Sequence, residues 1–519
     1  MSSENVVSNN KRIAKNTMYL YIRMLLTMTV SLYTSRVVLN ALGASDYGIN
    51  NVVGGTVSMF AFLSGTIATA VQRFLSIALG QGDSDSLKKI FECSQFLIWG
   101  ISIFTIILLE SVGLYLLNTQ LVIPEDRMYA AHWVFQLSTI SLFVSMISIP
   151  YNAAIIAHEK MSAFASLSLV DIFLKLLIAF SLLILSDSID SLIFYASLIC
   201  LSSIVMRVLY TIYCKRNFSE CRNLKVRYDK QLVQSMLSFF SWNTIGACSY
   251  VAKEQGINIV LNIFCGTIVN AARGITGQVT GALYGFISNF QVAMNPQITK
   301  YYAQHDYENL YVLVFRGAKF SFYLFFFLAL PVYIDIDYLL KMWLTNVPDH
   351  TSSFVRLTIL LMFLESISSP VITCLLAVGR VKVYQIVVGT VLLLNLPLSY
   401  IALKCGLAPE SALFIAIILA FVSLCIRLYL LKIYINFPLW HFVKSVILQP
   451  FTTAIVSYLV CDYIFHLLDL PQFFELLCII LIAWLLSGAL IYTIGLSLSE
   501  RKVVNQFISK LSSKIIHKK

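Results

Sequence analysis

Charge is what this sequence has least of. Only 12% of its 519 residues are Asp, Glu, Lys or Arg, against about 25% in an ordinary soluble domain. A soluble chain of this length would divide into about three domains, each needing a wet, charged surface. The charge to cover them is missing, which excludes a soluble enzyme, a nucleic-acid binder and a disordered chain together. Metal-type cysteine spacing is absent too. The 11 cysteines are scattered, mostly within apolar runs, as at Cys200, Cys248, Cys425 and Cys478, with no CxxC or Cys/His pattern. They read as small apolar residues, and neither a metal nor a cofactor is expected. There is no P-loop, GxSxG or HExxH motif, so no enzyme is expected. Without a soluble nucleotide domain an ATP-driven pump is not expected either. The seven histidines are isolated: His158, His305 and His350 sit in loops, and His132 and His466 stand alone in apolar runs. A cleavable leader is also not expected, because the first 16 residues are polar and the apolar run after them is too long.

What is present is apolar length. Hydrophobic residues make up 58% of the chain, and mean hydropathy is +0.80. Many runs exceed the ~18–20 residues that cross a bilayer. The expectation is an all-α polytopic membrane protein with about 14 transmembrane helices, at 17–41, 50–79, 90–117, 129–156, 161–186, 190–214, 234–264, 267–296, 309–334, 352–377, 383–403, 410–432, 445–467 and 474–497. Turn-forming or charged stretches separate them, such as Gly80-Gln81-Gly82-Asp83, Ser186-Asp187-Ser188, Asn346-Val347-Pro348-Asp349 and Asp469-Leu470-Pro471. Only Cys265-Gly266 divides the seventh helix from the eighth.

Lys and Arg collect in cytoplasmic loops of membrane proteins. With a cytoplasmic N-terminus, the inside segments hold 23 Lys and Arg, whereas the outside loops hold three, Arg127, Lys341 and Lys404. One helix too many or too few would scramble that split. The span number is therefore expected to be even, with both termini and the basic loop 215–230 in the cytoplasm. The net charge of +11 follows from this bias, without an acidic partner. The division expected is a cytoplasmic tail (1–16), an N-lobe of helices 1–6 (17–214), a basic cytoplasmic linker (215–233), a C-lobe of helices 7–12 (234–432), helices 13–14 (433–497) and a basic cytoplasmic tail (498–519).

An internal repeat supports two lobes. At an offset of 223, Gly43, Gly54, Ala70, Gln81 and Asp83 align with Gly266, Gly277, Ala293, Gln304 and Asp306. Six spans lie between the copies, an even number, so the lobes are expected to run parallel, with a substrate path between them. The eighth helix carries Gly274, Gly277, Gly281 and Gly285, a small-residue face suited to close helix packing or to sliding. Pro150, Pro296, Pro331, Pro370, Pro397 and Pro450 lie within spans, where proline frees a carbonyl and bends the helix.

Charges inside the spans cost at least ~2.5–3.5 kcal/mol each. Some have ordinary explanations. Arg207, Arg427 and Arg356 sit near helix ends and can extend to water. Asp171 and Lys175 are i,i+4 neighbours that can neutralise each other. Arg23, Arg36, Arg73, Lys253 and Arg273 are harder to explain. Arg23 shares a polar stripe with Tyr19, Thr27 and Ser31. Lys253-Glu254-Gln255-Gly256 reads as a break in the seventh helix. The expectation is a cationic cavity between the lobes. Arg offers a planar fork to phosphate oxygens and Lys a mobile point charge, a combination suited to a diphosphate.

The stretch from Ser35 to Asp83 and the one from Asn270 to Asp306 also carry a family resemblance. An Arg precedes Leu-Gly at the end of helix one, Asp46-Tyr47-Gly48 opens helix two, and a Gly-x-Asp turn closes it. The second stretch contains Asn270-Ala271-Ala272-Arg273-Gly274-Ile275 and Asn295-Pro296-Gln297-Ile298. The chain resembles the polysaccharide-lipid flippases, the O-antigen and capsule repeat-unit exporters of the multidrug/oligosaccharidyl-lipid/polysaccharide exporter superfamily. The resemblance implies a MATE-like fold of two six-helix lobes related by a parallel pseudo-twofold axis, plus two C-terminal helices, in a bacterial cytoplasmic membrane. It implies alternating access and a polyprenyl-diphosphate-linked oligosaccharide as cargo, flipped from the cytoplasmic to the outer leaflet for surface polysaccharide such as lipopolysaccharide. Membrane lipids, glycosyltransferases and a glycan polymerase are the implied partners, and nucleic acid is not among them. Glu254, beside Lys253, is the candidate for ion coupling. The peptidoglycan-precursor flippase is close kin. The rival readings are a cation-coupled multidrug exporter of the same superfamily, which would rely on cavity carboxylates, and a non-transporting scaffold for glycan assembly.

Overall fold

A computed structural model describes residues 3–58, 60–119, 123–185, 190–222, 229–344, 347–467, 471–497, 500, 501 and 505. The expected turns at 186–188, 346 and 469–470, residues 223–228 of the loop 215–230 and most of the tail 498–519 lie outside the described residues. The described chain is all-helical. Among the described residues, eleven helices are long and apolar enough to cross a membrane. They carry large exposed apolar side chains such as Phe104, Phe173, Leu459 and Leu485, as a lipid-facing surface requires. The protein is a multi-pass membrane protein. It forms two compact units, residues 1–248 with 292–307 and 376–385, and residues 249–291 with 308–375 and 386–519.

The first unit contains α1 (Ser3–Ser58), α2 (Ala61–Gln81), α3 (Ser84–Leu108), α4 (Leu114–Thr119), α5 (Met128–Ala157), α6 (Met161–Leu185) and α7 (Ser191–Asn217). Helix α1 bends at Gly43, whose φ of 75° and ψ of 167° leave the helical region. Glycine adopts positive φ without the cost of a Cβ, and the bend falls where helices one and two were expected to part. A π-helical turn, Leu109–Gly113, joins α3 to α4. A Cβ on Gly113 would stand 2.8 Å from the Phe135 ring, so the turn depends on glycine. The core gathers Phe91, Met146, Ala154, Ile155 and Cys214, with the Phe91 and Tyr151 rings edge-to-face at 5.3 Å. At another point Arg127 joins three helices. It binds Asp46 on α1 through both Nε and Nη2, and its Nη1 donates to Asp190 Oδ2 at 2.8 Å. Asp190 in turn caps α7 by accepting from the Leu192 and Ile193 amides. Burial alone would raise the Asp190 carboxyl pKa, but the hydrogen bonds from Arg127 and Ile193 hold it below its ordinary value.

The longest helical segment is α8 (Lys230–Ala303), 74 residues, and residues 253–256 are helical within it. The expected break at Lys253–Gly256 is therefore absent. A straight helix rises ~1.5 Å per residue, so the 19 residues from Glu254 to Arg273 would span about 28 Å. Yet Arg273 Nη2 donates to Glu254 Oε2 at 2.9 Å. Ile257, Leu261, Val269 and Ala272 also share one apolar cluster. The chain must reverse between Glu254 and Arg273, which makes two antiparallel arms of α8 on either side of Cys265-Gly266. The glycines Gly274, Gly277 and Gly281 meet nothing: a Cβ on any of them would have no neighbour within 4 Å. The small-residue face is open rather than closely packed.

The repeat has a local counterpart. Helix α2 ends with Gly82 at φ 72°, its amide donating to Leu79 O and the Asp83 amide to Ala78 O. At the same offset, α8 ends with His305 at φ 55°, its amide donating to Tyr302 O and the Asp306 amide to Tyr301 O. Both are Schellman turns. The following helices begin at Ser84 and Tyr307, again 223 apart. A second echo lies at Glu159, φ 58°, and Gly379, φ 84°.

The second unit adds α9 (Tyr307–Ile334), α10 (Ile336–Trp343), α11 (Thr351–Val378), α12 (Val381–Leu393), α13 (Asn395–Lys404), α14 (Ser411–Ile435), α15 (Leu439–Phe442), α16 (Gln449–Phe465) and α17 (Gln472–Leu490). Pro397 has no amide to donate to a preceding carbonyl, and the eleventh expected span breaks at Leu394 into α12 and α13. The last two spans are tied to α9. Lys319, 3% exposed, donates to Gln449 Oε1 at 3.1 Å and to Glu500 Oε2 at 2.9 Å, and the Tyr323 hydroxyl donates to Gly495 O. Arg356 likewise pairs with Asp337 at 2.9 Å.

Candidate functional site

Three of the expected site residues come together in the second unit. Lys253 and Glu254 stand side by side on the first arm of α8, and Arg273 faces them from the second. Lys253 Nζ lies 2.9 Å from Glu254 Oε1, and Arg273 Nη2 lies 2.9 Å from Glu254 Oε2. One carboxylate therefore holds two cations, and the triad carries one net positive charge. Lys253 is 3% exposed, and its ammonium sits 4.9 Å from the Tyr250 ring centre, a cation–π contact strengthened by desolvation.

Beside the triad is a cavity of ≈ 250 Å³ lined by Tyr250, Lys253, Tyr284, Glu365, Asn395 and Arg427, among others. The Glu365 carboxylate faces the charges of Lys253, Glu254 and Arg427. Among the described residues it has no hydrogen bond or ion pair within 4.0 Å. Arg427 Nε and Asn395 Nδ2 are buried donors without a partner among the described residues. Glu365 and Arg427 were not among the expected site residues. Both are visible in the sequence as intramembrane charges, but Arg427 reads there as a residue extending to water from a helix end. Instead it is 8% exposed and turned to the cavity.

The expected residues of the first unit have other partners. Arg73 donates to Leu376 O at 2.5 Å and to Ala377 O at 3.0 Å, the carbonyls at the end of α11. Its guanidinium also lies 4.9 Å from the Phe239 ring centre and 5.1 Å from that of Phe74. Free carbonyls at a helix C-terminus carry partial negative charge, so Arg73 caps α11. Gly379 makes room for it, since a Cβ there would come 2.2 Å from Arg73 Nη2. Arg23 reaches Ser168 Oγ at 3.5 Å and lies over the Phe164 ring at 4.7 Å. Arg36 is on α1, and its side chain lies outside the described residues. Arg207, expected to extend to water, stacks on Tyr151 at 4.4 Å. Asp171 and Lys175 pair as expected, at 2.8 Å.

Residues 248–401 match the MatE family. That stretch includes Lys253, Glu254, Arg273, Glu365 and Asn395, but not Arg427. No curated protein matches the chain. Among solved structures, a MATE transporter in its straight conformation is similar over 82% of this chain and 96% of its own, at 14% identity and a TM-score of 0.69. An outward-facing multidrug resistance MATE family transporter of the MOP superfamily covers the same shares, at 12% identity and a TM-score of 0.66. A MOP superfamily transporter from Pyrococcus furiosus, described as having a binding pocket of reverse polarity that suggests a different function, is similar over 82% of this chain and 96% of its own, at 13% identity and a TM-score of 0.66. The chain therefore has the fold of the MATE transporters, with a MatE domain in its second half.

Proposed function

We propose that this protein is an alternating-access transporter that flips a polyprenyl-diphosphate-linked oligosaccharide from the cytoplasmic to the outer leaflet. The observation that supports this most is the excess of buried base around one carboxylate. Lys253 and Arg273 share Glu254, and Arg427 lies nearby with Glu365. A diphosphate competes with Glu254 for both cations, and Arg supplies the two-pronged contact. Glu254 is then the coupling group in this reading: protonating it releases Lys253 and Arg273 together, and losing the proton reclaims them. Arg23 and Arg36 complete the cationic path, while Arg73 stays on the α11 carbonyls and holds that helix end. The division into lobes 17–214 and 234–432, the bacterial inner membrane and the cytoplasmic termini belong to the same proposal.

The multidrug reading has one observation in its favour. Glu365, a carboxylate without an ion pair among the described residues, lines a cavity with two tyrosines, Tyr250 and Tyr284, and organic cations bind such groups. Reconstitution into vesicles separates the two. Leaflet accessibility of a polyprenyl-diphosphate glycan is expected to change with the protein present. Efflux of an organic cation with no effect on the lipid would reverse the assignment. External labelling of a single cysteine at position 222 would overturn the topology.

A further inference from the structure

We infer that the cavity of the second unit, which shares Lys253 with the proposed cargo clamp, is a binding site for one small inorganic anion. The argument begins with charge. The triad and the cavity bring together three bases, Lys253, Arg273 and Arg427, and two acids, Glu254 and Glu365. The sum is +1. An uncompensated charge within the bilayer is costly, and one anion balances it. The second argument is the hydrogen-bond inventory. Among the described residues, Arg427 Nε and Asn395 Nδ2 are buried donors that lack acceptors. Arg427 is 8% and Asn395 0% exposed, and both line this cavity. A buried donor left unmet costs about 1–3 kcal/mol, so the cavity calls for an acceptor. Ser368 and Ser369 add hydroxyls to the same lining.

Size limits the occupant. A cavity of ≈ 250 Å³ holds a halide or a dihydrogen phosphate with a few waters, each of ~30 Å³. It is far too small for a sugar diphosphate on a polyprenyl chain. Glu365 sets the sign of the site. While it is ionised, the five charges already sum to a positive value, so an added cation is repelled and a single anion is held. Anion affinity is then limited by Glu365 and raised by Arg427.

That gives a test with two opposite signs. The full-length protein in nanodiscs is titrated with sodium bromide and with sodium phosphate, using sodium gluconate as the sodium control and calorimetry as the readout. Bromide or phosphate is expected to bind, and gluconate is not. Glu365→Gln keeps the side-chain shape and removes one negative charge, so anion binding should tighten about tenfold. Arg427→Gln should weaken it by about the same factor. If Arg427→Gln does not fold, the sign for Glu365→Gln decides alone. Heat that follows sodium in the gluconate control and disappears in Glu365→Gln would mark a cation site and overturn the inference. Equal traces for all three salts would mark a water-filled cavity and overturn it as well. Lipid flipping is scored separately in gluconate. Its loss there, with anion binding intact, bears on the flippase proposal alone.

Discussion

Two pairs of intramembrane bases, Arg73 with Arg207 and Lys253 with Arg273, are neutralised differently. In the first, Arg73 sits on the α11 carbonyls and between aromatic rings, and Arg207 lies on the Tyr151 ring. These partners are fixed dipoles and π faces. They cannot take up a proton, and they stay where the backbone places them. In the second, Lys253 and Arg273 share a carboxylate that can be protonated or displaced, beside a cavity with a second carboxylate. The first arrangement suits holding helices together, and the second suits an exchange of partners. The same residue type, arginine in a membrane span, thus serves structure in one place and is available for chemistry in another.

The largest effect expected from this contrast is functional. Arg273→Ala should abolish transport per folded molecule while leaving the amount of folded protein near normal, and Arg273→Lys should be intermediate, since charge survives without the fork. Arg73→Ala should lower folded yield and transport together, because α11 loses its cap. Size-exclusion yield measured beside lipid flipping separates the two. If Arg73→Ala kept its yield and lost only transport, the contrast between the pairs would fail.

Next in size is the Arg127 junction. Arg127→Ala leaves Asp46 and Asp190 without their shared cation and should cost about 2 kcal/mol, read as a lower Tm in detergent. A smaller, internal test uses two glycines with positive φ. Gly379→Ala meets both the strained φ and Arg73 Nη2, for about 2 kcal/mol. Gly82→Ala, with nothing within 4 Å, meets the φ cost alone, about 1 kcal/mol. Equal Tm losses would mean that Arg73 yields freely, and its role as a fixed cap would go.

The smallest effect concerns pH. Burial alone would raise the Glu410 carboxyl pKa, but hydrogen bonds with His350 and Ser353, at 2.7 Å each, hold it below its ordinary value. A carboxylate depressed in the folded state adds stability above its unfolded pKa of about 4.3. That stability is lost as pH falls through the folded value. Melting curves should show the native protein losing more Tm than Glu410→Gln between about pH 5 and 3, by less than 1 kcal/mol. Parallel curves would remove the pair from the stability account.

Much of the fold could be read in the sequence because each part of it is a local property. A span needs only consecutive apolar residues, and the turn after α2 needs only a residue that tolerates positive φ. The turn after α8 has a histidine at that position, so the repeat of geometry is stronger than the repeat of residues. Cys265-Gly266, the expected divide between two spans, falls within the stretch where α8 reverses. The candidate site was partly legible. Lys253 and Glu254 are neighbours in the chain, and Arg273 was picked out by its cost in hydrocarbon. Arg73 was picked out on the same ground, but its cost is met by carbonyls 303 and 304 residues away, which no sequence window contains.

The sequence by itself determined that the chain lives in a membrane, how its spans divide and which residues are too polar for lipid. These follow from transfer free energies, which depend on residue type. Which polar residue meets which was decided only by tertiary structure. The fold-back of α8 sets Arg273 against Glu254, and packing of α8, α11, α13 and α14 brings Glu365, Asn395 and Arg427 to one cavity. A buried charge must find a partner, but the sequence states only the need. Where the partner stands is fixed by how helices distant in sequence pack.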